Sequence, residues 1–372
     1  MAAESKYLCP ASYFNFLVML PFKPITDQSK LFKQVIIDRI IEETPTVKTF
    51  VIRPLAGEIV YLAGQFLTFV FQAQSTIGRR SYSISSALDE PLSVTVKRLT
   101  NGAFSRPLLE SAKPGDQLTM VGKASGFFVL PKNLEEYDQV IFLAAGSGIA
   151  PIYSLIKSLL ANNPGVSVVL IYSNTSPEKA IFRNGLLSLA AKYSQKFQIE
   201  WLFSNRQDLW KARLNKLVLE KLLRQHRTTS NQMTLAYLCG PFNYMRMAAI
   251  VLQSDGIPLS NIRREVFTPE TPTSLLQPPD ILPHKVSIAI GGRTHQLIVQ
   301  HPESILSAAR KYGLELPYSC ESGRCGSCVA KRTSGNIWMK FNEVLTDNEV
   351  DQGRVLTCSA FPVGGDVTIQ FD

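Results

Sequence analysis

Four cysteines near the carboxyl end constrain this chain more than any other feature of its sequence. Cys320, Cys325 and Cys328 follow a C-x4-C-x2-C spacing, and Cys358 comes after 29 intervening residues. Zinc sites usually join two short C-x2-C pairs, whereas three cysteines on one loop with a distant fourth are typical of a 2Fe-2S centre. The spacing therefore predicts that these four thiolates bind a 2Fe-2S cluster, and zinc is the alternative.

The size and composition of the chain limit its class. It has 372 residues, of which 45% are hydrophobic and 19% are charged. This predicts a globular protein of two or three domains and excludes a disordered, collagen-like or coiled-coil chain. Six cysteines are too few and too unevenly placed for a disulfide scaffold. The crowding of four of them near the carboxyl end is typical of metal binding in a reducing compartment.

The net charge of +9 is unevenly distributed along the sequence. Residues 284–372 carry nine basic and nine acidic side chains, so the preceding part holds 30 basic and 21 acidic ones. An excess of positive charge attracts nucleic acids or anionic cofactors. The basic residues are scattered in runs no longer than two, which argues against a nucleic-acid groove and favours the phosphates of a nucleotide.

The most apolar stretch near the amino terminus covers residues 11–22. A membrane span needs about 20 apolar residues, and a signal peptide needs a small-residue cleavage site. This stretch is shorter, contains Asn15 and runs into Pro21 and Pro24. We expect residues 1–30 to form an arm on the protein surface rather than a targeting segment. We also expect a cytoplasmic protein without membrane insertion.

The rhythm of apolar runs divides the next part of the chain into two domains. In residues 31–133, β-branched runs alternate with turn residues, which predicts an antiparallel β-barrel. In residues 134–268, buried-type strands are separated by stretches of helical spacing, which predicts an α/β domain with a parallel sheet. The predicted strands are 47–52, 66–71, 92–96 and 118–121, followed by 140–144, 166–172, 197–203 and 234–239.

A linker and a small α+β unit complete the predicted organisation. Residues 269–283 contain five prolines and little charge, as in an extended linker. Residues 284–372 begin with a hairpin around Gly291-Gly292 and continue with a short helix that ends at Gly313. Together with its cysteines, this unit resembles plant-type ferredoxins over its full length, which implies a β-grasp fold.

A hydroxyl-rich run in the predicted barrel suits a flavin. Arg80 can pair with a flavin phosphate, Tyr82 offers a flat face to the isoalloxazine ring, and the Ser83 hydroxyl can bond to a ring nitrogen. Residues 80–86 follow the R-x-Y-S-x-x-S pattern and, with residues 64–66, resemble the flavin-binding motifs of the ferredoxin–NADP reductase superfamily. Alone, this run could also be an edge strand with alternating hydroxyls.

The resemblance implies further flavin contacts. Residues 96–98 resemble the next flavin-contacting strand, and residues 102–105 open a helical stretch whose backbone N–H groups suit a pyrophosphate. A pyrophosphate grip implies FAD, and FMN is the alternative. The additional residues are Ser86, Val96, Lys97, Gly102, Phe104 and Ser105.

Two turns in the predicted α/β domain suit a nicotinamide dinucleotide. Residues 146–148 follow a buried strand, open a helix and resemble the superfamily pattern G-T/S-G-x-x-P. Residues 239–241 resemble the turn that lies beside the nicotinamide and flavin in that superfamily, although Cys239 could instead be a buried small hydrophobe. The implied nicotinamide contacts are Gly146, Ser147, Gly148, Pro151, Cys239, Gly240 and Pro241.

Two further features bear on the cofactors. Glu265 and Phe267 resemble the E-x-F ending of the reductase module, which borders the flavin in relatives, and a solvated glutamate is the alternative. Residues 173–175 stand where several relatives carry an arginine for a 2′-phosphate. Lys179, Arg183 or Arg206 could bind that group, so NADPH and NADH both remain open.

The order of flavin barrel, nicotinamide domain and ferredoxin unit resembles the reductase subunits of multicomponent oxygenases, of the phenylacetyl-CoA epoxidase and ketosteroid hydroxylase types. This implies electron transfer from NAD(P)H through FAD and a 2Fe-2S cluster to an oxygenase or epoxidase partner, with Cys239, Tyr82 and Ser83 at the catalytic site. Alternatives are another acceptor, such as a fatty-acid hydroxylase or a hybrid-cluster protein, and a redox sensor.

Overall fold

Three β-sheets follow one another along the chain in the computed structural model. The structure describes residues 32–73, 76–163, 165–267 and 277–371. The predicted arm at residues 1–30 and most of the predicted linker lie outside these ranges. An antiparallel barrel, a parallel α/β sheet and a mixed α+β sheet come in the predicted order, which confirms the predicted fold class.

The first sheet is an antiparallel barrel with the strand order β4-β3-β6-β1-β2-β5. A bridge between Ile84 and Val94 joins its two edges. Because alternate residues of a strand face the same side, Phe50, Phe69 and Val94 fill the interior. The elements are β1 (Phe32–Thr44), β2 (Val47–Pro54), β3 (Phe66–Ala73), β4 (Thr76–Ser83), β5 (Ser93–Lys97), α1 (Ser105–Ser111) and β6 (Gln117–Val121).

The second sheet is parallel, with the order β11-β10-β7-β8-β9 and helices on both faces. The strand order reverses between β7 and β10, and ligands of such sheets bind beyond the carboxyl ends of the strands at that reversal. The elements are β7 (Gln139–Ala145), α2 (Ile149–Asn162), β8 (Ser167–Asn174), α3 (Arg183–Lys192), β9 (Phe197–Phe203), α4 (Leu209–Ala212), α5 (Lys216–His226), β10 (Thr234–Cys239), α6 (Phe242–Ser254) and β11 (Ile262–Glu265).

The third sheet has the order β13-β12-β16-β14-β15, in which only β12 and β16 are parallel neighbours. The predicted hairpin joins β12 to β13, and Gly291 and Gly292 have φ angles of 58° and 76°. A two-residue turn of this type requires positive φ at both positions, which glycine adopts without strain. The elements are β12 (His284–Ile290), β13 (Arg293–Val299), α7 (Ile305–Lys311), β14 (Val329–Met339), α8 (Asp347–Asp351), β15 (Arg354–Leu356) and β16 (Ala360–Gln370).

Polar contacts join the three sheets. Ser154 on α2 donates a hydrogen bond from its hydroxyl to the carbonyl oxygen of Ser86, at 2.5 Å, and so ties the α/β domain to the barrel. Arg263 on β11 lies 3.4 Å from the carboxylate of Glu349 on α8, which ties the same domain to the third sheet. Within the ranges that the structure describes, no helix is long and apolar enough to cross a bilayer.

Candidate functional site

A cleft of about 870 Å³ lies where the three sheets meet. Its walls come from β4 of the barrel, from residues 259–267 at the end of the α/β domain, and from the cysteine loop together with residues 342–348. This volume lies within the range of ligand and cofactor sites. The structure thus brings predicted flavin and cluster residues to one cleft, and those that line it are Arg80, Ser83, Glu265, Phe267, Cys320 and Cys325.

Strand β4 contacts the cysteine loop directly. The hydroxyl oxygens of Ser81 and Ser319 are 2.6 Å apart, and Ser319 immediately precedes Cys320. On the other side of the loop, Gly326 lies against the ring of Phe127, where an added Cβ would approach a ring carbon to 2.7 Å. The predicted flavin strand and the predicted cluster ligands are therefore adjacent in space.

Glu265 ends β11 at the base of the cleft and is half-buried. The hydroxyl of Ser83 donates a long hydrogen bond to its carboxylate, at 3.4 Å. Burial raises the pKa of Glu265 to about 8, because desolvation disfavours the carboxylate. Burial also raises the pKa of the Cys239 thiol, and the nearby charge of Glu265 raises it further. Near neutral pH, Glu265 therefore carries a proton and Cys239 is a neutral thiol.

Tyr82 turns its ring toward the barrel interior. The ring stacks against Phe104 with the centroids 5.8 Å apart and lies 6.2 Å from the ring of Phe69. Burial raises the pKa of Tyr82, so its phenol stays neutral. Phe104 is 1% exposed and Val96 is fully buried. The side chains of Phe104 and Val96 pack the barrel, so we expect any contact of these two residues with a cofactor to involve their backbone.

Other predicted flavin residues have structural partners or lie at the surface. The Ser86 hydroxyl accepts a hydrogen bond from the Ser93 amide at 3.0 Å, and the Ser105 hydroxyl accepts one from the Leu99 amide at 3.2 Å. Lys97 is exposed at the end of β5. An added Cβ at Gly102 would lie 2.2 Å from the Ser105 hydroxyl, so a larger residue here would displace that hydroxyl.

Arg80 is exposed and lines the cleft. Its Nη1 donates a hydrogen bond to the carbonyl oxygen of Arg79 at 2.7 Å, and its guanidinium carbon lies 5.9 Å from the centre of the Phe71 ring. These contacts hold the side chain at the cleft while leaving most guanidinium donors open to solvent. Such donors suit a phosphate, as the sequence predicts for Arg80.

The two glycine turns of the α/β domain touch each other at the reversal of the strand order. A Cβ on Gly148 would lie 2.1 Å from the carbonyl oxygen of Cys239, and one on Gly240 would lie 2.9 Å from the Cβ of Ala145. Gly146 has a φ of 56° and open space where its Cβ would be. The backbone thus forms a bare surface beyond β7 and β10, which fits close approach of a dinucleotide. Pro151 lies in the first turn of α2.

The four cysteines of the third sheet come together in two pairs. The Cys320 thiol is hydrogen-bonded to that of Cys325, which lowers the pKa of Cys320, and the Cys328 thiol is paired with Cys358. Within the described ranges, no three His, Cys, Asp or Glu side chains are arranged to hold one metal ion. Two thiol pairs fit a two-iron cluster, with one pair for each iron, better than a single tetrahedral zinc.

The loop backbone also suits such a cluster. Gly323 has a φ of 73°, and a Cβ there would lie 2.7 Å from the carbonyl oxygen of Phe341. Its amide donates to the sulfur of Cys358 at 3.3 Å. Hydrogen bonds of this kind to thiolate sulfurs tune the reduction potential of iron–sulfur centres.

Comparison with known proteins identifies the chain. Residues 142–249 match the oxidoreductase NAD-binding domain, and residues 288–363 match the 2Fe-2S iron-sulfur cluster binding domain. The chain is 33% identical to the ferredoxin reductase component of 3-ketosteroid-9-alpha-monooxygenase from Mycolicibacterium smegmatis, over 90% of this chain and 95% of that protein. It is 32% identical to one component of the 1,2-phenylacetyl-CoA epoxidase from Escherichia coli, over 88% and 93%. The chain belongs to the oxygenase reductases of the ferredoxin–NADP reductase superfamily.

Solved structures share the fold of this reductase. Phthalate dioxygenase reductase aligns over 91% of the present chain and 98% of its own, with a TM-score of 0.56 and 24% identity. An intact type IV self-sufficient cytochrome P450 monooxygenase aligns with a TM-score of 0.67 and 20% identity, and the present chain spans 41% of its length. The three-part architecture therefore occurs both as a separate chain and within a longer one.

A second, smaller cavity of about 290 Å³ lies at the end of β9 of the reductase. It is lined by the aromatic rings of Trp201 and Phe203, by one acidic side chain, Glu200, and by three basic side chains, Arg183, Arg206 and Lys211. Arg206 lies over the Phe203 ring, with its guanidinium carbon 5.2 Å from the ring centre. Two of the three predicted phosphate ligands thus line this cavity, and Lys179 is not among the lining residues.

Sequence reasoning missed three residues of the reductase that line the main cleft. Arg79, Ser319 and Arg324 line the cleft beside the predicted ligands. Arg324 is 6% exposed and pairs with Glu343 at 3.3 Å. The only signal in the sequence was the adjacency of Arg79 to the flavin motif and of Arg324 to Cys325.

Proposed function

We propose that this reductase oxidises NAD(P)H at a bound FAD and delivers electrons through its 2Fe-2S cluster to an oxygenase component. The observation that carries the proposal is the single cleft that holds both the predicted flavin strand and the cysteine loop, joined by the 2.6 Å contact between Ser81 and Ser319. A bound flavin accepts two electrons as a hydride and releases them singly, which matches a one-electron cluster.

The residues of the chain supply binding and orientation. Arg80 binds a flavin phosphate, and the glycine turns at residues 146–148 and 239–241 admit the nicotinamide end of the dinucleotide. Glu265 holds a proton on its carboxyl group next to the Ser83 hydroxyl, so a proton is available within the cleft at neutral pH. Ser83 lies next to Glu265, and Cys239 begins the second glycine turn. We place these two side chains nearest the hydride-transfer site.

The acceptor that we propose is an oxygenase of the phenylacetyl-CoA epoxidase type, in the cytoplasm and in phenylacetate catabolism. Its support is the 32% identity to the epoxidase component, over 93% of the length of that component. A 3-ketosteroid monooxygenase is the second candidate, because its reductase component is 33% identical over 95% of its length. Reconstitution with each oxygenase distinguishes these two candidates.

The test is reconstitution with purified partners. The flavin- and iron-loaded reductase is mixed with NADPH or NADH and with the oxygenase components of either system, and oxygenated product is measured. We expect product only with the cognate oxygenase and only with the reductase present. Reduction of both internal cofactors without product from either oxygenase would reject both proposed partners. A cluster that stays oxidised in the presence of NAD(P)H would reject the electron path itself.

A further inference from the structure

Arg79 lies one residue before the flavin motif on β4, and its side chain reaches the third sheet. Its guanidinium carbon lies 3.8 Å from the centre of the Tyr318 ring. Its Nη1 donates a hydrogen bond to the carbonyl oxygen of Tyr318 at 3.1 Å, and its Nη2 lies 3.4 Å from the carboxylate of Glu315. One side chain of the barrel thus makes three contacts with the domain that holds the cysteines.

This contact is desolvated. The Arg79 side chain is 6% exposed, whereas that of Glu315 is 60% exposed. The Nε of Arg79 has no hydrogen-bond partner among the residues that the structure describes. A buried charge is costly unless its partners face it, so moving the third sheet away would leave the Arg79 guanidinium buried without them. The guanidinium therefore favours one docked position of the third sheet over neighbouring positions.

The residues that Arg79 contacts lead directly to a cluster ligand. Tyr318 is followed by Ser319, which contacts Ser81, and then by Cys320. Arg310 also lies over the Tyr318 ring, with its guanidinium carbon 4.6 Å from the ring centre, but Arg310 belongs to the same domain as Tyr318. The ring therefore contacts two guanidinium groups, of which only that of Arg79 comes from the barrel.

We propose that Arg79 is a positioning residue that fixes the distance between the flavin strand and the cysteine loop. The inference rests on the proposed function and deepens it. The rate of electron tunnelling falls exponentially as the distance between donor and acceptor grows. Displacement of residues 318–320 slows electron transfer into the cluster. Hydride transfer from NAD(P)H depends on the turns of the α/β domain, which Arg79 does not touch.

The test compares Arg79→Gln with a matched control, Arg310→Gln, in the holoenzyme. Both variants remove a guanidinium from the Tyr318 ring, but only the first removes a contact between domains. Cluster reduction after mixing with NADPH is followed in single-turnover stopped flow. We expect Arg79→Gln to slow it by about ten- to a hundred-fold, as for loss of a charged hydrogen bond, with the flavin still reduced at the wild-type rate. Arg310→Gln stays within about two-fold of wild type.

Hydrogen exchange supplies a readout that does not depend on turnover. Backbone amides of residues 314–328 exchange faster in Arg79→Gln than in wild type or Arg310→Gln. If Arg79→Gln loses its cofactors, Tyr318→Leu reports the same contact from the other domain and shows the same two changes. Wild-type cluster reduction and wild-type exchange in Arg79→Gln overturn the inference while the proposed function stands. Failure of the proposed function shows itself separately, as a wild-type cluster that NADPH does not reduce.

Discussion

Gly148 and Cys239 approach so closely that a Cβ on the glycine would lie 2.1 Å from the cysteine carbonyl oxygen. The obstacle is backbone rather than a flexible side chain, so the two turns must separate if Gly148 is replaced. This contact holds the ends of β7 and β10 together where the strand order reverses. The arrangement of the proposed nicotinamide site therefore depends on the absence of a single methyl group.

Gly148→Ala should slow NADPH-driven flavin reduction by about a hundred-fold, because a displacement of about 1 Å in a positioned site costs that much. Flavin binding should be unchanged, since the flavin motif lies on β4. Gly165→Ala is the control, because a Cβ there meets nothing within 4 Å. Stopped-flow reduction of the flavin band measures the effect. Equal rates in wild type and Gly148→Ala would show that the contact does not shape the site.

Arg80→Ala should weaken flavin retention by about ten- to a hundred-fold, as expected for loss of one charged hydrogen bond to a phosphate. The flavin dissociation constant, measured by fluorescence recovery on release, reports this change. Arg53→Ala is a suitable control, because Arg53 is an exposed barrel arginine that pairs with Asp38. Unaltered flavin retention in Arg80→Ala would mean that residues 80–86 form an edge strand without a role in flavin binding.

Arg206→Ala tests the coenzyme phosphate. If the basic cavity at the end of β9 binds a 2′-phosphate, the KM for NADPH should rise by about ten-fold or more while the KM for NADH stays constant. Lys179→Ala is the matched control, because Lys179 does not line that cavity. Equal changes in both KM values would instead assign Arg206 to the adenosine part that the two coenzymes share.

Glu265 should make the stability of the reductase depend on pH. The ordinary pKa of a glutamate is 4.5, whereas burial raises the pKa of folded Glu265 to about 8. Between these values the folded state keeps a proton that the unfolded state has lost, so the free energy of unfolding falls as pH rises. The slope is at most about 1.4 kcal/mol per pH unit, and it flattens above pH 8.

Glu265→Gln should remove this contribution, because the amide does not titrate. Thermal unfolding midpoints at pH 5 and pH 8 should differ less in Glu265→Gln than in wild type, while Glu58→Gln, at an exposed site, should follow wild type. An unchanged pH dependence in Glu265→Gln would mean that Glu265 titrates as a solvated carboxylate in the folded protein.

Much of the fold could be predicted from local patterns. The predicted strands 197–203 and 234–239 coincide with β9 and β10, because apolar and aromatic residues dominate both segments, and β10 is buried throughout as a central parallel strand. The Gly291-Gly292 hairpin could also be predicted, because the two glycines by themselves determine the turn type. The cysteine loop was predicted from spacing within nine residues, where the chain itself fixes the geometry.

Contacts between domains could not be predicted in this way. Arg79 and Tyr318 are 239 positions apart, and nothing local in either segment records that they meet. The direction of the Phe104 side chain could not be predicted either. Its motif is compatible with a cofactor contact, but its ring packs in the barrel core against Tyr82. The raised pKa of Glu265 likewise depends on how the domains enclose it. The roles of these residues toward a bound flavin remain predictions.

The most direct test of the electron path measures whether Cys325→Ser still delivers electrons from NADPH to a protein acceptor. This variant breaks one of the two thiol pairs, so it should lose the cluster signal while it retains flavin. We expect NADPH to reduce the flavin at the wild-type rate and ferricyanide, which is small enough to reach the flavin, to be reduced normally. Reduction of cytochrome c or of the oxygenase partner should be abolished. Wild-type electron delivery to a protein acceptor by cluster-free Cys325→Ser would contradict the path from nicotinamide through flavin to cluster.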